Sequence, residues 1–163
     1  MLTLFLTEEF APGFSESIGI LDSCSSHLSV FRFLWPLQYD GSITSAFGYR
    51  EDPFTGEKTF HGGVDIAASK GTPVLAADDG IVETANFSDP WGGGYGYYVR
   101  LRHDDVYETL YGHCSSICVR AGQTVQRGEV IGYVGSTGNS TGNHLHFETL
   151  KYGNRYDPLS NFS

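Results

Sequence analysis

The segment HLHFETL, from His144 to Leu150, carries the clearest strand pattern in the chain. Polar and apolar residues alternate from His144 to Glu148, as in a strand with one face on a hydrophobic core. His144, His146 and Glu148 then share the other face. Because a histidine is costly in an apolar strand unless its ring has a partner, we ask which residues meet this face.

Similar short runs recur from Leu37 onward, separated by glycine-containing turns at intervals of about ten residues. β-Branched and aromatic residues are frequent in them, and nothing between Leu37 and Tyr156 shows a sustained helical period. The runs include GIVETANF, YGYYVRLRH, VYETLYGH and EVIGYVG. The sequence therefore predicts an all-β domain, in which an antiparallel sheet continues into a compact barrel-like or sandwich core.

Residues 1–34 differ in composition from the strand-like segments that follow, with short apolar runs mixed with serine and glutamate. We expect a leader or linker over residues 1–34 and one domain over residues 35–163. The first residues, MLTLFLTEEF, lack the positive charge and the apolar length of a signal peptide. We therefore expect either secretion by another route or a chain that is a piece of a longer protein.

The composition limits the partners of the chain. Its 163 residues suffice for one domain with a buried core, and its net charge of -9 disfavours binding to the phosphates of nucleic acid. The chain lacks the run of about 18 apolar residues that a transmembrane helix requires. Cys24, Cys114 and Cys118 are odd in number, so we expect plain thiols, with a disulfide between Cys114 and Cys118 as the alternative.

A second motif, FHGGVD from Phe60 to Asp65, places His61 four residues before Asp65. In a straight strand these two residues would lie about 13 Å apart, too far to share one metal ion. Gly62 and Gly63 allow the backbone to bend after His61, which would return Asp65 toward the same point.

The two histidines of the H-x-H pair also lie close together, since residues i and i+2 of a strand are about 7 Å apart on one face. One imidazole can then bind a metal ion while the other faces a group that the ion holds. Two histidines and an aspartate suit zinc, and three protein ligands leave a fourth position open, as in catalytic zinc sites. A closed structural site would favour cysteines.

Other polar residues have simpler interpretations. For His27 and His103 we expect ordinary hydrogen bonds within a β-rich fold. Glu148 can either accept a ring N–H from a histidine or lie in solvent at the end of its strand. Cys114 directly follows His113, so on a strand it points the other way and is not counted as a ligand.

Two long segments together resemble the lysostaphin-type (LytM-like) zinc metalloendopeptidases that cut bacterial peptidoglycan. They are FGYREDPFTGEKTFHGGVDIAASKGTPVLAADDGIV and YGHCSSICVRAGQTVQRGEVIGYVGSTGNSTGNHLHFE. The similarity runs from Trp35 to Leu159 and includes H-x-x-x-D, Y-x-H and H-x-H in the order of the family. Cys114 stands where the family commonly has a leucine, a departure that affects packing more than chemistry.

The resemblance implies the lysostaphin-type fold, zinc as cofactor, a peptidoglycan peptide as substrate and action outside the cytoplasmic membrane, in the cell envelope or beyond it. It also assigns roles to five residues: His61, Asp65 and His146 would bind zinc, and His113 and His144 would be catalytic. The family's substrates include glycine-rich cross-bridges and stem-peptide cross-links. We expect a monomer.

The loops next to these motifs are expected to contact the substrate. Trp91, Tyr95 and Tyr97 are candidates for the walls of the cleft, with ordinary packing as the alternative. The segment GSTGNSTGN, residues 135–143, is expected to form a tight loop that presents the H-x-H strand. Its serines and threonines are candidates for hydrogen bonds to the substrate backbone.

Three other functions fit parts of the sequence. A non-catalytic regulatory or wall-binding module of the same fold would have lost metal ligands, whereas this chain keeps all five polar positions. A lipoyl- or biotinyl-carrier domain would need a lysine in the turn-rich segment from Val119 to Gly135, which has none. A structural zinc module would unfold on loss of the metal, whereas a catalytic site would leave the fold largely intact.

Overall fold

The computed structural model describes residues 32–39, 41–52 and 55–162. The predicted leader, residues 1–34, therefore lies almost wholly outside the described residues, as do Cys24 and His27. The division of the chain at residue 35 stays a prediction.

The described residues form strands and two short 3-10 turns, and they contain no α-helix. The turns are Gly92–Gly94 and Pro158–Asn161. The strands are β1 (Ser42–Ser45), β2 (Gly48–Glu51), β3 (Lys58–His61), β4 (Val64–Ala67), β5 (Pro73–Leu75), β6 (Gly80–Asn86), β7 (Tyr97–Arg102), β8 (Tyr107–Ile117), β9 (Thr124–Val125), β10 (Val130–Val134), β11 (His144–Lys151) and β12 (Asn154–Tyr156). In this part of the chain, no helix has the length and apolar character needed to cross a membrane.

Ten of the strands form one antiparallel sheet. Its main path runs β1-β4-β11-β8-β7-β6-β9, while β10 pairs with β5 and β8, and β12 pairs with β11. β2 and β3 form a separate two-stranded sheet, in which Tyr49 lies opposite Phe60. The all-β, antiparallel prediction is confirmed, and across the residues described the sheets do not close into a barrel.

One face of the main sheet covers the hydrophobic core. The alternation predicted for β7 holds, because Val99 and Leu101 are fully buried, and Leu145 and Phe147 of β11 lie in the same core. Phe33 also belongs to this core, where its ring packs 5.2 Å from that of His103. The packed domain thus includes at least this residue from the segment predicted to be a leader.

A chain of hydrogen bonds links His103 to Thr109 and Tyr111 of β8. His103 lies with Nδ1 2.8 Å from the Asp79 carbonyl and Nε2 2.8 Å from the Thr109 hydroxyl, so the hydrogen-bonded interpretation of this histidine is confirmed. The hydroxyls of Thr109 and Tyr111 are 2.8 Å apart, and the Ala77 N–H donates to Tyr111. Burial raises the pKa of Tyr111, which keeps the phenol neutral.

Tyr111→Phe would leave the Ala77 N–H buried without its acceptor. An unsatisfied buried donor costs about 1–3 kcal/mol, so we expect the free energy of unfolding to fall by that amount while the fold is retained. Denaturant unfolding followed by circular dichroism measures the change. Tyr39→Phe is the control, because Tyr39 is 65% exposed and its substitution should leave stability unchanged. Equal stability of Tyr111→Phe and wild type would contradict the assignment.

Candidate metal centre and cleft

The register of β4, β11 and β8 sets the position of the site. Asp65 on β4 lies directly opposite His146 on β11, and His146 lies opposite Gly112 on β8. His61 is the last residue of β3, so the turn at Gly62 and Gly63 carries the chain from the two-stranded sheet into the main one. Residues 85 positions apart in sequence are thereby brought into contact.

The two glycines serve the site in a different way from the one predicted. Neither Gly62 nor Gly63 has a positive φ, so the turn does not depend on the backbone conformations that favour glycine. Gly63 is required by space, because a Cβ there would overlap the Phe147 carbonyl oxygen and would lie 3.0 Å from the His146 ring. At Gly62 a Cβ would meet the flexible side chain of Arg155 instead.

Three donor atoms from the predicted metal ligands converge on one point. Nε2 of His61 lies 3.1 Å from Nδ1 of His146 and 3.1 Å from Oδ1 of Asp65, and the last two atoms are 2.9 Å apart. All three residues are buried. Tetrahedral zinc with bonds of about 2.0–2.1 Å separates its ligand atoms by about 3.3 Å, so this donor set fits zinc with little adjustment.

The outer nitrogen of each histidine in this set has its own acceptor. Nδ1 of His61 lies 3.0 Å from the Ala46 carbonyl, and Nε2 of His146 lies 3.2 Å from Oε1 of Glu148. When a metal ion binds, an N–H on each outer nitrogen leaves the lone pair of the inner nitrogen for the ion. In the absence of the ion, the inner nitrogens hydrogen-bond Asp65. Glu148 is 2% exposed, so the solvated alternative for this residue is wrong.

Asp65 carries a negative charge in the site. Burial would raise the pKa of its carboxyl, but the hydrogen bonds with His146 and His61 outweigh burial and hold the pKa well below its usual range. Its second oxygen, Oδ2, lies 3.5 Å from Nη2 of Arg50. The carboxylate thus directs one oxygen to the two histidines and the other to a cation.

His113 and His144 form a second pair of rings beside the donor set, with centroids 4.6 Å apart. Nδ1 of His113 donates to the Thr137 carbonyl at 2.7 Å, and Nδ1 of His144 donates to the Gly142 carbonyl at 2.8 Å. Each ring therefore directs Nε2 away from its backbone partner, and Nε2 of His144 lies 3.6 Å from Oδ1 of Asp65. Burial, together with the neighbouring His144, lowers the pKa of His113 to about 4, so its ring is neutral at neutral pH.

The backbone at His113 is strained, with φ at 60°. A non-glycine residue in this left-handed region costs about 1–3 kcal/mol and persists only where its surroundings fix it. Here the N–H of His113 donates to the Tyr95 carbonyl at 2.7 Å.

Cys114 is fully buried in the core, and burial raises the pKa of its thiol to about 12. Cys114 and Cys118 are both free, as predicted for thiols.

A cleft of about 240 Å³ opens onto these residues. Of the three aromatic residues predicted for its walls, Tyr95 lines the cleft, whereas Trp91 and Tyr97 do not. Trp91 is 59% exposed in the loop before the first 3-10 turn, and Tyr97 starts β7, where its N–H donates to the Thr137 hydroxyl. A contact of Trp91 or Tyr97 with the substrate stays a prediction.

The cleft also contains residues that sequence reasoning did not single out, namely Arg50, Asp52 and Asn139. Arg50 lies in GYRE of β2, a four-residue strand whose pattern gives no sign of a site. Ser140 and Thr141, from the loop expected to contact substrate, do line the cleft.

Comparison with known proteins places these features in one family. The model of peptidase family M23 matches residues 59–158. The DD-carboxypeptidase/endopeptidase Mpg of Neisseria meningitidis is 46% identical over 125 residues, and the peptidoglycan DD-endopeptidase ShyC of Vibrio cholerae is 39% identical over 117 residues. These matches cover 77% and 71% of the chain but only 28% and 26% of the relatives, so the chain spans about a quarter of their length.

Two solved peptidase structures are similar to this chain in fold and sequence. A zinc-containing peptidase from Vibrio cholerae superposes with a TM-score of 0.68 at 38% identity, over 76% of this chain and 37% of that one. The catalytic domain of lysostaphin from Staphylococcus simulans superposes with a TM-score of 0.67 at 32% identity, over 76% and 93% of the two chains.

Gly63→Ala tests the close approach of β4 to β11. The added methyl group would push the two strands apart, so we expect loss of bound zinc and a fall of about 1–3 kcal/mol in the free energy of unfolding. Metal analysis after dialysis and denaturant unfolding measure the two effects. Gly142→Ala is the comparison variant and should keep both zinc and stability, because nothing lies within 4 Å of the position that its Cβ would occupy. Full zinc binding by Gly63→Ala would refute the steric argument.

Proposed function

The chain belongs to peptidase family M23, and we propose that it is a zinc-dependent endopeptidase that hydrolyses peptide bonds in bacterial peptidoglycan. The observation that carries this proposal is the meeting of two sets of side chains in one cleft. Three buried donor atoms lie about 3 Å apart, and two further imidazoles stand beside them with Nε2 available.

His61, Asp65 and His146 would hold the zinc ion. Bound zinc supplies a Lewis acid that polarises a carbonyl and lowers the pKa of water to about 7. Two imidazoles and one carboxylate make the donor set, and the outer hydrogen bonds of both histidines direct the inner nitrogens to the ion.

His113 and His144 would handle the protons of the reaction. Each donates through Nδ1 to a backbone carbonyl, which fixes the ring and leaves Nε2 to accept a proton from the attacking water. The protonated ring can then give that proton to the leaving amine or hydrogen-bond the developing oxyanion. The chain has no H-E-x-x-H motif, so a glutamate base of that kind is not available for this role.

The substrate would be a peptide that lies across the cleft. Ser140, Thr141 and Asn139 offer hydrogen-bonding groups to its backbone, and Tyr95 provides an aromatic wall. Two relatives named DD-endopeptidases favour a stem-peptide cross-link over a glycine-rich cross-bridge. Because peptidoglycan lies outside the cytoplasmic membrane, we infer that the activity is in the cell envelope or outside the cell. The catalytic domain would contain Phe33 together with residues 35–163 and would act as a monomer.

The first test pairs metal analysis with hydrolysis of purified peptidoglycan. We expect about one zinc ion per chain, and release of peptide fragments that stops with a chelator and in His61→Ala, because the variant lacks one of three ligands. Mass spectrometry of the fragments identifies the bond. Zinc binding without hydrolysis of any peptidoglycan type would instead favour the regulatory module, and unfolding on chelation would favour a structural zinc site.

His144→Ala separates proton transfer from metal binding. His144 is not one of the three converging donors, so the variant should keep its zinc while its rate of hydrolysis falls by about 10²–10⁴-fold. Metal content and the rate are measured on the same preparation, with His61→Ala as the variant that loses both. Hydrolysis at the wild-type rate would remove His144 from the mechanism.

A further inference from the structure

Glu148 is the centre of a closed set of hydrogen bonds on the side of His146 away from the metal donors. Tyr95 donates its hydroxyl proton to Oε1 of Glu148 at 2.8 Å, and Arg155 donates from Nε to Oε2 at 2.8 Å. Nη2 of Arg155 also donates to the Tyr95 hydroxyl at 2.8 Å, which closes the ring of contacts. We refer to Tyr95, Glu148 and Arg155 as the outer cluster.

The outer cluster contacts His146 of the metal centre in two ways: Oε1 of Glu148 lies 3.2 Å from its Nε2, and the Tyr95 ring packs 5.7 Å from its ring. A buried carboxylate is stable only when its charge and its oxygens are satisfied. Here Nε of Arg155 lies 2.8 Å from Oε2, and the Tyr95 hydroxyl and Nε2 of His146 lie 2.8 Å and 3.2 Å from Oε1, so the charge and both oxygens of Glu148 are satisfied. An ionised carboxylate can only accept hydrogen bonds.

We propose that Tyr95, Glu148 and Arg155 are positioning residues, which fix the His146 ring with its proton on Nε2 and its lone pair on Nδ1 facing the metal. The inference rests on the proposed function, since it takes His146 as a zinc ligand. It adds to that function a determinant of zinc affinity that lies outside the ligand set.

The geometry gives each member a distinct part. Glu148 accepts the His146 N–H, and without that acceptor the proton has no reason to stay on Nε2 and can occupy Nδ1, where it blocks the metal. Arg155 and Tyr95 hold the carboxylate in the required orientation. Nε of Arg155 donates to Glu148 and Nη2 donates to the Tyr95 hydroxyl. The single nitrogen of a lysine cannot reproduce this planar, two-nitrogen geometry.

The outer cluster depends on tertiary contacts between three separate segments. Tyr95 belongs to the loop before β7, Glu148 to β11 and Arg155 to β12, and β12 pairs with β11 so that Arg155 lies opposite Leu150. The sequence separation between Tyr95 and Arg155 is 60 residues. Tyr95 thus lines the cleft and also donates to Glu148.

Zinc affinity tests the proposal directly, by competition between the full chain and a chromophoric chelator at constant pH. Glu148→Gln and Arg155→Met should bind zinc about 10–100-fold more weakly than wild type, the range found for partners of metal-bound histidines. Tyr95→Phe should show a smaller loss, because the carboxylate keeps Arg155. Arg155→Lys should recover only part of the loss seen in Arg155→Met, since lysine restores the charge without the fork.

Arg100→Met is the matched control. Arg100 is also partly exposed and ion-paired, on β7, but its carboxylate partners are Glu83 and Glu108 and not Glu148. Its substitution should leave zinc affinity unchanged. Ring ¹⁵N spectra of His146 in the zinc-bound proteins provide the second readout, with the Nε2–H signal shifted in Glu148→Gln, because the proton then faces a neutral amide instead of a carboxylate. Unfolding of the zinc-free proteins shows whether each variant keeps its fold.

Two results would overturn the proposal. One is zinc affinity of Glu148→Gln and Arg155→Met within a factor of about two of wild type, well below the expected range. The other is an equal loss in Arg100→Met, which would indicate a general effect of charge. A wild-type protein that binds zinc through this set but cleaves no peptidoglycan refutes the proposed function alone, whereas cleavage with unchanged affinities in the variants refutes only the role of the outer cluster.

Discussion

The antiparallel pairing of β4 with β11 is the constraint on which the site depends. It sets Asp65 directly opposite His146, and Gly63 allows the two strands to approach without a side chain between them. With those two residues fixed, only His61 has to be delivered from outside the main sheet, and the end of β3 does so. The buried face of the same strands, with Val64, Ile66, Leu145 and Phe147, packs into the core. Stability and site geometry therefore rely on one pair of strands.

The two buried acids of the metal centre are each paired with an arginine. Asp65 faces Arg50 with one oxygen, and Glu148 faces Arg155 with one oxygen, while the remaining oxygen of each carboxylate faces His146. Each acid is thus satisfied on two sides. This pairing offsets the desolvation cost of the ionised groups on β4 and β11. It also orients the His146 ring, which both acids contact.

Two glycine-rich loops complete the cleft by holding His113 in a strained conformation. The Tyr95 carbonyl accepts its N–H and the Thr137 carbonyl accepts its Nδ1 proton, while the Gly94 carbonyl accepts the N–H of Asn139. The loops therefore bind each other as well as the histidine. Strain that the surroundings impose in this way is common at functional sites, where it sets a side chain in a direction that a regular strand does not offer.

The sequence by itself determined the strands, the five polar positions and the kind of metal, because alternation, motif spacing and ligand chemistry are local properties of the chain. It did not determine why Gly63 is needed, which aromatic residue reaches the cleft, or that Arg155 joins Tyr95 and Glu148. Trp91 and Tyr97 had the same appearance in sequence as Tyr95, and Phe33 lay in a segment with no strand pattern. These outcomes were decided by tertiary structure, because they depend on strand register and on close contacts between residues far apart in the chain, which no local pattern records.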